Sequence, residues 1–238
     1  MTHTASQVLR FHLSDRLFHA LHALLWFALM ASAMYAGGLR HAGNEVAYET
    51  AIGIHIGLGA GYVAAFIIYV AMAPDRMARF FKELFRSDRN CFAWFRNFGN
   101  YPKRFLGIQI GPKEVAAQGR YNGGQRVTYA LFAVAAFALI VSGIALMGLR
   151  ETNEAIYQVV AQMHRGIALL TTLVVVIGHI PMALVSPAMR KAIAPWGNGR
   201  LTLEDAKEHS PLWVDNDLTV STKNVALLEE KRIVAPRR

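Results

Sequence analysis

Four apolar stretches, each long enough to cross a bilayer, leave this chain few folds. They lie at about 17–37, 51–73, 127–149 and 155–185, and roughly 20 apolar residues span the hydrocarbon core as a helix. In lipid a run of this length must satisfy its backbone polar groups internally, which a helix does. Only 17% of the 238 residues are charged and 54% are hydrophobic, whereas soluble domains carry about 25% charged residues. The expected fold is an all-α membrane protein, a four-helix transmembrane bundle. Arg10, Arg16 and the small residues of ASAMYAG imitate a secretory signal. The first apolar run is longer than a signal core of about 7–15 residues, however, and three more spans follow, so it is kept in the fold.

Lys and Arg concentrate between spans two and three, from Arg76 to Arg126, while the other two loops offer only Arg40 and Arg150. The positive-inside rule puts the long loop and both termini in the cytoplasm, with the loops near His41 and Glu154 outside. Arg10 and Arg16 before the first span, and Arg190, Lys191 and Arg200 after the last, agree with that orientation. The loop sequence DRMARFFKELFRSDRNCFAWFRNFGNYPKRF interleaves basic and aromatic residues, a composition suited to a helix at the anionic lipid surface. Because topology accounts for the net charge of +9 and no nucleic-acid motif accompanies it, nucleic acid is not an expected partner. Residues 1–190 are expected to form the membrane domain and 191–238 a short soluble cytoplasmic tail. Within the tail LTLEDAKEH reads as a short helix and VAPRR as a mobile end.

The single cysteine, Cys91, excludes an internal disulfide and cannot supply the thiolates of an iron–sulfur cluster. Of nine histidines, His3, His12, His41 and His209 fall in termini or loops. The other five sit in spans. His55 and His164 lie near the outer face. His179 lies about 22 Å deeper than His164 at 1.5 Å per residue, level with His19 and His22. Two pairs of imidazoles at two depths suit the axial ligands of two b-type haems in a bundle core. His19 and His22 stand three residues apart on neighbouring parts of one helix face, so depth leaves both open as the inner ligand; the other is free to meet a propionate, a lipid or a quinone. Gly53, Gly57 and Gly61 clear one flank of span two for a macrocycle or for another helix. Arg165 suits a haem propionate or the lipid headgroups.

DRLFH before span one, His55, RYNGGQ before span three, the H…HIPMA pattern of span four and KEHSPLW in the tail resemble the cytochrome b (gamma) subunit of membrane-bound respiratory formate dehydrogenases, over most of residues 10–215. The resemblance implies haem ligation by His19, His55, His164 and His179, with His19 and His179 on the inner haem and His55 and His164 on the outer. It also implies a quinone pocket that includes Asn122, Gly124 and Gln125. Asn and Gln amides suit a quinone carbonyl as donors, although a Gly-rich turn capping span three would use the same residues. The implied partners are an iron–sulfur subunit and a molybdenum or tungsten catalytic subunit in a bacterial inner membrane. This chain would carry electrons inward to quinone and would not itself oxidise formate. His22 then becomes a candidate proton donor. One departure stands out: the family's span-four histidines are typically one residue closer together, and an extra residue turns one ligand by roughly 100° unless the helix bulges. A nickel–iron hydrogenase or thiosulfate reductase head is the alternative partner, and a haem-free anchor or transporter the alternative class.

Overall fold

The computed structural model describes residues 7–86, 88–221, 223–224 and 226–231; VAPRR and His3 lie outside them. In chain order it has strand β1 (Gln7–Leu9) and helices α1 (Leu13–His41), α2 (Glu45–Met72), α3 (Pro74–Leu84), α4 (Arg89–Trp94), α5 (Tyr101–Leu106), α6 (Gly123–Leu149) and α7 (Glu154–Leu173). A π-helical turn, Val174–His179, follows α7 and leads into α8 (Ile180–Val185) and α9 (Pro187–Ile193). The chain continues through β2 (Arg200–Thr202), α10 (Leu203–His209), α11 (Pro211–Asp217), β3 (Leu218–Val220) and β4 (Leu227–Glu230). The four predicted spans correspond to α1, α2, α6 and the continuous helical stretch Glu154–Val185, each long and apolar enough to cross a membrane.

The chain forms two compact units. One unit holds residues 13–73 and 132–195, which include α1, α2, most of α6 and all of α7 to α9. Its helices start where polar residues can satisfy free backbone amides. Asn44 accepts from Ala47 N–H at 3.2 Å to open α2, and Asn153 accepts from Ile156 N–H at 3.0 Å to open α7. The pair in closest contact is α1 with α2. Trp26 Nε1 on α1 donates to Thr172 Oγ1 on α7 at 3.1 Å, which satisfies an indole that would otherwise face hydrocarbon unpaired. Large apolar side chains such as Leu24, Ile67, Phe137 and Leu169 point outward, as a lipid-facing surface requires.

The other unit joins residues 7–12, residues 74–131 and the described residues from 196 onward. Its small sheet has the order β2-β1-β4-β3. β1 pairs antiparallel with β2 and parallel with β4, and β3 pairs antiparallel with β4. Val8 and Trp213 are fully buried beside it, with Leu201, Leu218 and Leu227 also in the core. The tail is therefore built around a strand from the opposite end of the chain. The predicted tail helix is present as α10, where Thr202 Oγ1 accepts from Asp205 N–H at 3.0 Å.

Buried charge ties this unit together. Arg10 and Arg120 each donate to the other's backbone carbonyl, and their guanidinium carbons lie 4.4 and 5.4 Å from the Trp213 ring centroid. Burial, aided by the neighbouring positive charge of Arg120, lowers the Arg10 pKa to about 9, so it stays cationic near neutrality. Glu230 is the shared counter-charge. It pairs with Arg120, lies 3.4 Å from Arg79 Nε and accepts from Trp213 Nε1 at 2.8 Å. Middle loop and C-terminal tail thus meet at one carboxylate, and Arg10 joins them through Arg120 and the Trp213 ring.

Candidate functional site

The membrane unit brings the span histidines together in two pairs. His19 on α1 faces His179 in the π turn, with ring centroids 6.3 Å apart and an interplanar angle of 52°. His55 on α2 faces His164 on α7 at 6.4 Å and 80°. Two metal–nitrogen bonds of about 2 Å, extended by the ring radii, would put two imidazole centroids about 6 Å apart. The spacing of either pair would suit a metal ion held between its rings.

The chemistry of the His55–His164 pair is set by two serines that the sequence reading did not single out. Ser32 Oγ on α1 donates to Leu29 O at 2.9 Å and lies 3.0 Å from His55 Nδ1. Ser142 Oγ on α6 donates to Ala138 O at 2.6 Å and lies 2.8 Å from His164 Nδ1. A hydroxyl has one proton, and here it is committed to a carbonyl, so each serine must accept from the imidazole. Both histidines then carry hydrogen on Nδ1 and keep the Nε2 lone pair for a metal, with ring orientation held by the hydrogen bond. Ser and His three or more turns apart in sequence give no local pattern, which is why the pairing is visible only between helices.

His19 and His22 diverge. His22 does not join the His19–His179 pair; it packs against Phe18 and Tyr62, with ring centroids at 3.9 and 4.3 Å. Its two ring nitrogens are buried without a hydrogen-bond partner of normal geometry among the described residues. Phe132 on α6 stands edge-on to His179 at 5.9 Å. Arg165 is exposed and makes no ion pair with a described carboxylate. Around His55 the flank of α2 is clear: a Cβ built at Gly53, Gly57 or Gly61 meets nothing within 4 Å.

In the other unit, RYNGGQ opens α6 as a reciprocal cap. Asn122 Oδ1 accepts from Gln125 N–H at 2.9 Å, and Gln125 Oε1 accepts from Asn122 N–H at 3.1 Å. This is the capping-box arrangement, with glutamine in the role of the third residue. Each amide oxygen is occupied, and each NH2 group has no partner among the described residues. The two glycines admit a neighbour: a Cβ at Gly123 would come 2.6 Å from Cys91 O, and one at Gly124 would come 2.5 Å from the Trp94 ring. Gly124 is thus explained by the packing of α4. Arg126, which follows RYNGGQ, is buried and holds Asp88 at 3.0 Å.

A family model described as prokaryotic cytochrome b561 matches residues 10–195, which include every histidine of the two pairs. The chain belongs to the prokaryotic cytochrome b561 family. It is a multi-pass membrane cytochrome b that binds haem b and serves electron transfer. A haem-free anchor or transporter is set aside on that ground. The match does not extend to the formate dehydrogenase resemblance. A comparison with curated proteins finds no match. In this cytochrome b561 chain the histidines of the two pairs are the residues that would hold haem iron. Bound haem b supplies one-electron chemistry; the protein contributes the imidazoles, their fixed tautomers and an apolar surround.

Proposed function

We propose that this cytochrome b561 chain is the di-haem membrane subunit of a respiratory formate dehydrogenase-type complex. It takes electrons from an iron–sulfur subunit on the periplasmic side of a bacterial inner membrane, and a molybdenum or tungsten subunit oxidises formate beyond that. It delivers the electrons to membrane quinone near the cytoplasmic face. The observation that carries the reading is the pair of histidine pairs, His55 with His164 and His19 with His179, spaced alike at 6.4 and 6.3 Å on either end of one helical stretch. One path through two ligand sets is what an electron carrier across a membrane needs. The choice of formate dehydrogenase rests on DRLFH, RYNGGQ, HIPMA and KEHSPLW.

Quinone reduction needs hydrogen-bond donors and two protons. Asn122 and Gln125 supply donors whose direction is already set, since the cap occupies their oxygens and leaves their NH2 groups. Protons drawn from the cytoplasm, with formate's proton released outside, would make inward electron flow build a membrane potential.

Reduced-minus-oxidised spectra of the purified chain test the core of this reading. Two b-type haems per chain are expected, one lost in His55→Ala and the other in His19→Ala; one haem or none rejects it. Metal analysis of the co-purified complex then tests the partner. Molybdenum or tungsten supports the formate-type head, and nickel would transfer the subunit to a hydrogenase.

A further inference from the structure

His164 and His179 stand fifteen residues apart. On an unbroken α-helix at about 100° per residue, one residue more or less swings a side chain by about 100° around the axis. The stretch is not unbroken. Val174–His179 is π-helical, and Ile180 N–H donates to Val175 O, five residues back. A π turn takes in one residue more than the α turn it replaces. His179 therefore emerges in the direction that a fourteen-residue interval would give it, and that is where His19 stands, at 6.3 Å.

The cause lies two residues further on. Pro181 has no N–H for the Ile177 carbonyl, and in a regular helix its ring would press against that oxygen. Widening the turn ahead of proline moves the carbonyl aside, after which α8 resumes. A close neighbour at Gly178 is not the cause, because a Cβ built there meets nothing within 4 Å.

We infer that Pro181 is a positioning residue for the inner haem: it maintains the π turn that aims His179 at His19. This rests on the di-haem reading above. The extra residue in the fourth span is harmless because the proline localises its effect to one turn.

The test uses the full chain in three forms: unaltered, Pro181→Ala, and Pro181→Ala with Val176 deleted. Haem content and the low-spin or high-spin signature of each haem are read by visible and electron paramagnetic resonance spectroscopy. In Pro181→Ala the turn closes to α and swings His179 away; the inner haem is lost or becomes high-spin, while the outer haem stays low-spin and reports that the bundle is folded. Deleting Val176 from that variant returns the interval to fourteen residues on a regular helix and restores the low-spin inner haem. A fully occupied low-spin inner haem in Pro181→Ala, or failure of the deletion to restore it, overturns the inference. An unaltered chain without two haems would instead overturn the di-haem reading itself.

Discussion

At the residue scale, what prepares an imidazole for iron is the group on its far nitrogen. Ser32 and Ser142 each spend their proton on a carbonyl and so hold Nδ1–H of His55 and His164. Partners of this kind typically account for about 10–100-fold in metal affinity. On the di-haem reading, Ser142→Ala is accordingly expected to weaken haem retention at the His55–His164 site by about tenfold or more without altering the His19–His179 site; titration of apoprotein with haem, read at each site's absorbance, checks this. His22 provides the opposite case. It stands three residues from His19 yet rests against Phe18 and Tyr62, so His22→Ala should leave haem occupancy unchanged. Loss of the inner haem in that variant would reverse the assignment of His19.

At the scale of elements, α6 begins with a cap whose residues also suit quinone. Replacing an N-cap asparagine by alanine costs about 0.5–2 kcal/mol, and Asn122→Ala is expected to cost that much in thermal stability. It should also slow haem reoxidation by quinone while both haems remain reducible by the native donor. Unchanged reoxidation would place quinone elsewhere. Gly124→Ala separates packing from binding, since its Cβ would meet the Trp94 ring at 2.5 Å. This variant should destabilise α4 against α6, and Trp94→Leu in the same chain should relieve it. RYNGGQ was legible as a turn and as a source of donors; the reciprocal cap depended on Asn122 and Gln125 reaching back to each other.

At the scale of the whole molecule, the unit that holds the small sheet brings together residues 220 apart in the chain, Arg10 and Glu230. Glu230 balances Arg120 and Arg79 and accepts from Trp213. Removing one partner of a buried pair leaves an uncompensated charge, at about 3–5 kcal/mol. Glu230→Gln is expected to lower the melting temperature of the chain and expose the tail to limited proteolysis, with the haem spectra unchanged. A tail that behaved as a free appendage would show neither effect.

The sequence by itself determined what depends on local composition and rise along an axis. Those quantities yielded four spans, the concentration of positive charge between the second and third, and the grouping of five histidines into two depths, because hydrophobic length and 1.5 Å per residue are one-dimensional. Direction around an axis was beyond it. Which of His19 and His22 looks at His179, which serines hold His55 and His164, and how a fifteen-residue interval still aligns a ligand all depend on helix phase and on the neighbour each face meets. The joining of β1 to the C-terminal strands was equally hidden, since strands of three and four residues carry no periodic signal and become stable only when paired. Tertiary structure decided these features because each is a contact between segments far apart in the chain.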